Sequence, residues 1–332
     1  MPANLTPQYH EAEERYRQAK TIEEKLAALE EMLAVIPKHK GTEHMQGDIK
    51  AKIAKLRRQL EEQRPARGRY QAMYNVEKEG AGQVVLVGPP NAGKSKLLSM
   101  LTNAQPEIGD YAFTTQRPYP GMMPYEDIKI QIVDMPPFTE EFTEPWMAAI
   151  VRNSDAVLFV VDAGDSSVLE RIEEVLNVLY RFRIKLQGWN RPALTEEVGF
   201  IVVKRTIFVA NKMDLEESQG NLEVISEFYG ERFPIEPVSS VNGNGLEHLK
   251  EEIFRMLDVI RVYTKVPGKP PDMDAPYVLR KGSTVLDLAT MIHKDFAQKL
   301  RFARIWGEGK YDGQMVSRDH LLEDRDVLEL HV

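Results

Sequence analysis

A run of eight residues, Gly88-Pro-Pro-Asn-Ala-Gly-Lys-Ser95, has the residue types and spacing needed to hold phosphate groups. It matches the pattern G-x-x-x-x-G-K-[ST], follows the apolar stretch Val84 to Val87, and opens the helical pattern Lys94 to Leu101. Glycines let backbone N–H groups wrap a phosphate at the positive end of a helix. Lys94 is then expected to meet the β and γ phosphates, and the Ser95 hydroxyl to bind Mg²⁺. The other expected ligand-binding residues of this loop are Pro89, Pro90, Asn91, Ala92, Gly93 and Lys96.

A second motif, Asn211-Lys212-Met213-Asp214, follows the apolar run Ile207 to Ala210. An Asp here can accept hydrogen bonds from N1–H and the exocyclic amine of guanine, whereas adenine offers neither in that geometry. Because an unmatched buried carboxylate is costly, such a site discriminates strongly between bases. A phosphotransferase that uses ATP is a competing interpretation, and Asp214 argues against it. After the last predicted strand, the backbone N–H groups of three residues are expected to line the base site: Ser239, Ser240 and Val241.

Two further positions are candidates for binding Mg²⁺ and sensing the γ phosphate. Asp134 ends the alternating run Ile128 to Val133, where a carboxylate can hold the ion through water. Thr114 and Thr115 lie between the phosphate loop and this strand, in a segment rich in turn formers that suits a mobile cover. Each of these residues alone could be a solvent-facing acid or a turn residue. Their order along the chain is what favours a nucleotide site.

Strands that alternate with helices must position these motifs. That alternation predicts a doubly wound, mostly parallel α/β sheet, whose ligands bind at the carboxyl ends of the strands. Residues 188 to 204 do not fit one simple unit, and we expect an extra loop or a short added hairpin there. The predicted strands are Val84 to Val87, Ile128 to Val133, Ala156 to Val161, Ile207 to Ala210 and Ile235 to Val238. The predicted helices are Lys94 to Leu101, Leu169 to Phe182 and Leu246 to Leu257.

The first 64 residues are predicted to form a helical hairpin. Thr6-Pro7 and the capping box of Thr21 and Glu24 mark helix starts. Apolar residues then recur at steps of three and four in two stripes: Leu26, Leu29, Leu33 and Ile36, and Ile49, Ile53, Leu56 and Leu60. The hairpin is either a prop packed on the next domain or a docking arm for a large partner.

Positive charge is concentrated on and after this hairpin. Between Lys38 and Arg69 there are 10 Lys/Arg and 4 Asp/Glu, although the whole chain carries a net charge of −8. Such a local excess can contact the phosphates of a nucleic acid, or it can be a solvated helix face.

Proline and glycine mark two linkers, at 65–82 and 266–274. They separate the hairpin at 1–64 from a nucleotide domain at 83–265, and that domain from a small α+β module at 275–332. In this last module we expect a strand, a helix and two further strands, at Tyr277 to Leu279, Thr284 to Lys294, Ala303 to Trp306 and Val327 to His331.

The composition excludes several classes of protein. The chain of 332 residues has no Cys, so disulfides and thiolate chemistry are excluded, and its 7 His show no ligand spacing. A metal is therefore expected to be Mg²⁺ held through phosphates. No apolar run reaches the length of a membrane span, and the first residues lack an apolar signal core, so we expect a cytoplasmic protein with no membrane contact.

Taken together, the motifs resemble a translation-factor-related GTPase of the Obg superfamily, most closely the developmentally regulated GTP-binding (DRG) proteins. The resemblance lies in GPPNAGKS at 88–95, DYAFTTQRPYPG at 110–121, NKMD at 211–214 and VSSVNGNGLEHL at 238–249. The N-terminal stretch from TIEEK at 21 is similar to the DRG helical hairpin, and residues 275–332 resemble a TGS domain, a ubiquitin-like β-grasp module.

The resemblance implies a P-loop GTPase that binds GTP and GDP, hydrolyses GTP slowly and associates with the ribosome or another RNA-containing translation assembly. It implies that Thr115 is the switch threonine that binds Mg²⁺, with Lys94 and Asp134 in catalysis, and that Asn91 helps to hold a K⁺ ion. The TGS domain is also a candidate contact for a protein partner. Oligomeric state and partner identity stay open.

Two residues depart from the family pattern. The third motif of the family is D-x-P-G, but here it is Asp134-Met-Pro-Pro137. Gly at the last position gives its N–H to the γ phosphate, and Pro has none to give. Phe138 stands where many GTPases carry the Gln that orients water. We therefore expect a slowly hydrolysing switch, with a guanine-nucleotide-loaded scaffold that barely turns over as the alternative.

Overall fold

The computed structural model describes residues 7–19, 22–36, 45–53, 55–56, 74, 76–102, 117–192 and 201–332. It has two compact units, Met1–Asn75 and Val76–Val332. Several predictions fall on residues outside this description: the helix caps at Thr6 and Thr21, the pair Thr114 and Thr115, and most of the basic segment 38–69.

The first unit contains helices α1 (Pro7–Gln18) and α2 (Ile22–Val35), and a third helix, α3, at residues 45–53 with 55–56. The predicted stripes meet in a small core that includes Leu29, Ile36, Ile49 and Ile53. The structure adds α1 to this core, because Tyr9 and Ala12 are buried in the same cluster. The described part of this unit therefore consists of three helical segments that share one core.

The second unit begins with a seven-stranded sheet of the order β2-β3-β1-β4-β6-β5, in which β7 also pairs with β6. The antiparallel pair β2 and β3 is followed by parallel pairings throughout, which confirms the predicted doubly wound, mostly parallel sheet. The strands are β1 (Gln83–Val87), β2 (Tyr119–Tyr125), β3 (Ile128–Asp134), β4 (Ala156–Asp162), β5 (Ile184–Gly188), β6 (Val202–Asn211) and β7 (Ile235–Pro237).

Among the residues described in this domain, five helices cover the sheet: α4 (Lys94–Leu101), α5 (Pro145–Asn153), α6 (Val168–Arg181), α7 (Ser218–Tyr229) and α8 (Leu246–Leu257). Strand β1 is buried along its whole length, as expected for a central strand covered on both faces. Leu97 and Leu98 of α4 and Leu249 and Ile253 of α8 pack into the same core. Burial of these side chains fixes α4 and α8 against the sheet, and with them the loops that precede these helices.

Residues 184–211 correct one expectation. Of the two forms expected for 188–204, the added hairpin is wrong for the described part, because β5 ends at Gly188 and pairs in parallel, not antiparallel, with the start of β6. The other form, an extra loop, stays a prediction. Residues 193–200 of this segment lie outside the described part of the chain.

The C-terminal domain is a five-stranded sheet of the order β11-β10-β12-β8-β9 with two helices. Val262, Val285, Leu288 and Ile305 lie in its separate core. Its elements are β8 (Val259–Thr264), β9 (Asp272–Arg280), α9 (Val285–Ile292), α10 (Lys294–Lys299), β10 (Phe302–Trp306), β11 (Gln314–Val316) and β12 (Asp326–His331).

The structure moves the predicted domain boundary. The sequence patterns put residues up to 265 in the nucleotide domain and 266–274 in a linker, but β8 pairs with β9 and β12 of the second sheet. Strand β9 also begins at Asp272, inside the predicted linker. The C-terminal domain therefore starts at Val259, because the apolar residues of β8 are needed to complete its core. None of the described helices is long and apolar enough to cross a membrane.

Candidate nucleotide-binding site

The phosphate loop connects the buried strand β1 to helix α4, as the sequence predicts. Two of its glycines have no room for a side chain. A Cβ on Gly88 would lie 2.1 Å from the carbonyl oxygen of Val160. Gly93, the N-cap of α4, has φ 86°, and a Cβ there would lie 2.3 Å from Nδ2 of Asn211. The loop therefore packs directly against β4 and against the second motif.

Lys94 is buried, and its ammonium donates to the carbonyl oxygens of Gly88 at 3.1 Å and Pro89 at 2.8 Å. Burial lowers the pKa of Lys94 to about 8, and the charge of Asp134 opposes that shift. A phosphate close to this ammonium would restore the charged form, because an opposite charge favours it. Lys94 is thus suited to binding an anion.

Ser95 and Asp134 meet at the start of α4. The Ser95 hydroxyl donates to Oδ2 of Asp134 at 2.5 Å, and Asp134 is fully buried. Hydroxyl and carboxylate oxygens are the donors that Mg²⁺ prefers. These two residues fit the predicted Mg²⁺ ion, whereas the third predicted ligand, Thr115, lies outside the described residues. Among the described residues there is no group of three or more His, Cys, Asp or Glu that could hold a metal by itself.

Asn211 joins the phosphate loop to the last motif. Its Nδ2 donates to the carbonyl oxygen of Ala92 at 2.9 Å. Its Oδ1 accepts from the backbone N–H and the hydroxyl of Ser240 at 3.1 and 2.9 Å. The side chain of Asn211 therefore links the phosphate loop to the loop that contains Ser240. It fixes the position of the predicted phosphate-binding loop relative to the predicted base-binding loop.

Asp214 and Lys212 lie on the same loop. Oδ1 of Asp214 accepts from the hydroxyl of Ser239 at 2.5 Å, which orients the carboxylate expected to read guanine. Lys212 has φ 67°, and its ammonium forms a 2.6 Å ion pair with Asp162. Val241 is 69% exposed, and its N–H is directed to the Ser239 hydroxyl at 3.2 Å.

The remaining predicted loop residues differ in exposure. Ala92 and Pro89 are buried and Pro90 is half-buried, whereas Asn91 and Lys96 are exposed. Asn91 has φ 60°, in the left-handed region that Asn tolerates better than most residues. Its predicted contact with K⁺ stays a prediction.

The segment after Asp134 packs against the phosphate loop. Phe138 is fully buried, and its N–H donates to the carbonyl oxygen of Gly88 at 3.2 Å. Pro136 and Pro137 are buried beside it. The first backbone N–H after the two prolines is therefore directed to the phosphate loop itself.

Sequence reasoning missed Asp162. It ends β4 at the same sheet edge and orients Lys212, and its Oδ1 accepts from the N–H of Gly164 at 2.9 Å. The signal was present, because an acidic residue closing a buried parallel strand lies at the edge where ligands bind.

Two family models match the chain, one for each domain of the second unit. A model described as 50S ribosome-binding GTPase matches residues 83–194, and a TGS domain model matches residues 260–332. The fold is thus a P-loop GTPase domain followed by a β-grasp TGS domain. The match from 260 agrees with the boundary that β8 sets.

Full-length relatives define the family. A GTP-binding protein of Methanocaldococcus jannaschii is 33% identical over 93% of this chain and 92% of its own length. Developmentally-regulated G-protein 2 of Arabidopsis thaliana is 30% identical, covering 93% of this chain and 91% of its own. A solved GTP binding protein from Pyrococcus horikoshii aligns with 75% of this chain and 99% of its own, at 16% identity and a TM-score of 0.47. The chain belongs to the developmentally regulated GTP-binding proteins.

Proposed function

We propose that this GTP-binding protein is a slowly hydrolysing switch that acts in the cytoplasm on the ribosome or another RNA-containing translation assembly. The observation that carries the proposal is the arrangement of Pro137 and Phe138 against the phosphate loop. Pro137 has no N–H, and the N–H of Phe138 donates to Gly88. In this arrangement, neither Pro137 nor Phe138 has a backbone N–H available to donate to a γ phosphate.

The reaction is attack of water on the γ phosphorus of GTP, which breaks the bond to the bridging oxygen and releases GDP and phosphate. Lys94 binds the β and γ phosphates, and backbone N–H groups of the loop stabilise the charge on their oxygens. Ser95, Asp134 and Thr115 would hold Mg²⁺, which neutralises phosphate charge when bound. The buried Phe138 supplies no polar group to orient the water. Slow intrinsic hydrolysis follows.

Base choice rests on Asp214. Its carboxylate is oriented by Ser239 and lies on the loop that Asn211 ties to the phosphate loop. In this role it accepts from the guanine N1–H and N2 amine. Asn91 is the candidate contact for K⁺, which would add positive charge beside the phosphates.

The proposed partner is an RNA-rich assembly contacted through the first unit and the TGS domain. The basic excess between Lys38 and Arg69 suits phosphate contacts, and the matching family model is described by ribosome binding. A protein partner on the TGS domain is compatible with this role.

The alternative is a guanine-nucleotide-loaded scaffold with little or no turnover, which Pro137 also favours. Single-turnover hydrolysis of radiolabelled GTP, with and without purified ribosomes, separates the two. A switch requires measurable hydrolysis that ribosomes accelerate at least about tenfold. Turnover at the background rate in both conditions would leave only the scaffold.

The ribosome contact has its own test, co-sedimentation at increasing salt. Replacing Lys38, Lys40, Lys52 and Lys55 with Glu should reduce co-sedimentation and leave GTP affinity within about twofold. A second variant replaces Lys294 and Lys299 with Glu and tests the proposed contact through the TGS domain. Co-sedimentation that survives the first change but not the second would move the contact to the TGS domain.

A further inference from the structure

A buried arginine of the TGS domain contacts the turn between β2 and β3 of the GTPase domain. Arg261, on β8, has a side chain that is 4% exposed. We call the group around it the Arg261 clamp. Its members are Arg261, Tyr263, Asp324 and Arg325 of the TGS domain, and Glu126 and Asp127 of the turn.

The clamp joins the two domains through charge-assisted hydrogen bonds. Nη1 of Arg261 donates to Oδ1 of Asp127 at 2.8 Å and also to Glu126. Nη2 of Arg325 donates to Oε2 of Glu126 at 2.7 Å, and the hydroxyl of Tyr263 donates to Asp127. On its own domain, Arg261 is held by Asp324, with Nη2 to Oδ2 at 2.7 Å. Three carboxylates thus share one guanidinium.

Charge interactions and aromatic packing both stabilise the contact between Arg261 and the turn. Hydrogen bonds from Arg261 and Arg325 lower the pKa of Glu126. Burial works against ionisation of Asp127, but hydrogen bonds from Tyr263 and Arg261 outweigh it and lower its pKa. The guanidinium lies 5.0 Å from the ring centroid of Phe254, which stacks on Tyr125 at 4.9 Å. The turn is therefore held by charge and by aromatic packing together.

The other end of the same hairpin lies at the nucleotide site. Tyr119 of β2 is paired with Asp134 of β3, whereas Tyr125 is paired with Ile128 next to the clamp. The hairpin is therefore about 20 Å long, at roughly 3.4 Å per residue. It runs from the residue that binds the Ser95 hydroxyl to the turn held by Arg261.

Strand β2 is suited to changing position. Among the described strands it lies at one edge of the sheet, and it contains Pro120 and Pro124, which have no N–H to donate to a neighbouring strand. It also follows the segment that contains Thr115, the predicted γ-phosphate sensor.

We propose that the Arg261 clamp couples the nucleotide bound at the GTPase site to the position of the TGS domain. This inference deepens the proposed switch and rests on it. The clamp holds the hairpin where Asp134 binds Ser95 and the N–H of Phe138 binds Gly88. A γ phosphate competes for the groups that make these contacts. The TGS domain therefore opposes GTP binding, and a partner that moves the TGS domain relieves that opposition.

The test uses the full chain with Glu126→Gln and Asp127→Asn combined. These changes weaken the clamp and leave Arg261 paired with Asp324. Titration with GDP and with a non-hydrolysable GTP analogue should show the analogue-to-GDP affinity ratio rising about three- to tenfold. The matched control is Arg205→Gln, which removes an ion pair with Asp258 that includes no residue of the hairpin or the clamp. It should leave the ratio within twofold.

A distance measurement gives the second readout. The chain has no Cys, so spin labels can be placed at Glu227→Cys in the GTPase domain and Asp319→Cys in the TGS domain. With the clamp intact, the distance distribution should differ between GDP and the analogue, and the clamp variant should lose that difference.

An affinity ratio within twofold of wild type, or a distance distribution that ignores the nucleotide in wild type, overturns the coupling. If the double variant does not fold, Glu126→Gln alone serves, because this carboxylate is 43% exposed, and the ratio should then rise about threefold. Neither measurement involves hydrolysis or ribosomes. A failure of ribosome stimulation would therefore overturn the proposed function without changing these results.

Discussion

Lys94 and Arg261, two of the three buried cations among the described residues of the second unit, differ in how their charge is balanced. Lys94 donates to two backbone carbonyl oxygens, and burial lowers its pKa to about 8. Arg261 is paired with three carboxylates; burial disfavours its charge, but these hydrogen bonds outweigh burial and raise its pKa above the usual value.

The difference is the one expected between a ligand-binding group and a structural one. An incompletely balanced buried charge is costly, and it is typical of sites that bind an ion of opposite sign. A buried cation with several carboxylates has its charge satisfied within the fold. Lys94 is thus available to a phosphate, whereas Arg261 holds two domains together.

Arg261→Met should give the largest loss of stability. The change leaves Asp127, Asp324 and Glu126 without their shared cation, and we expect unfolding to become easier by about 3 kcal/mol. This is the low end of the range for broken buried pairs, because the carboxylates are partly hydrated. Urea denaturation of both proteins measures it, with Lys265→Met as the control. A loss below about 1 kcal/mol would show that the clamp contributes little.

Lys94→Met should instead abolish ligand binding. Removing the ammonium deletes charge-assisted contacts to two phosphates, so GTP affinity should fall about a hundredfold or more. Stability should be unchanged or higher, since a buried charge is removed. Calorimetric titration and urea denaturation test both halves, with Lys185→Met, at an exposed lysine of β5, as the control. Tight GTP binding by Lys94→Met would remove the distinction between the two cations.

Lys94 also predicts a dependence on pH. Its pKa is about 8 in the folded protein, against an ordinary value of 10.5 for a lysine side chain in water. The unfolded chain therefore binds more protons between these pH values, and Lys94 makes stability rise with pH across that window. The difference in unfolding free energy between wild type and Lys94→Met should follow this trend. A difference that is flat from pH 8 to 10 would contradict the lowered pKa.

Nucleotide binding should be accompanied by protonation of Lys94. At pH 8, binding of GTP with Mg²⁺ should take up about half a proton, because phosphate favours charged Lys94. Calorimetry in two buffers of different ionisation enthalpy measures the uptake. Measured again at pH 7, the uptake should be nearly zero. Equal uptake at both pH values would assign it to another group.

Local patterns explain how much of the nucleotide site could be predicted. The phosphate loop and the NKMD loop are short, continuous runs between a buried strand and a helix, and α4 and α8 have the predicted bounds. The structure brings these loops together through Asn211, whose pairing with Ala92 no local pattern specifies.

Long-range contacts explain what could not be predicted. The sequence of strand β8 is an apolar run that is compatible with either sheet. Its pairing with β9 and β12 assigns it to the TGS domain. Strand β2 contains two Pro and a Gly, which favour turns, and becomes a strand through pairing with β3. The Arg261 clamp joins residues far apart in sequence, so neither end of it carries a signal alone.

The most direct test of the switch is the ratio of affinities for a non-hydrolysable GTP analogue and GDP, in wild type and in Pro137→Gly. The wild type should show a small preference for the analogue. Glycine restores a backbone N–H whose charge-assisted bond is worth about 1.5 to 3 kcal/mol, so the ratio should rise about tenfold or more. The greater entropy cost of ordering glycine offsets part of this gain. Equal ratios in the two proteins would show that the missing N–H at Pro137 is compensated, and would contradict the weakened switch.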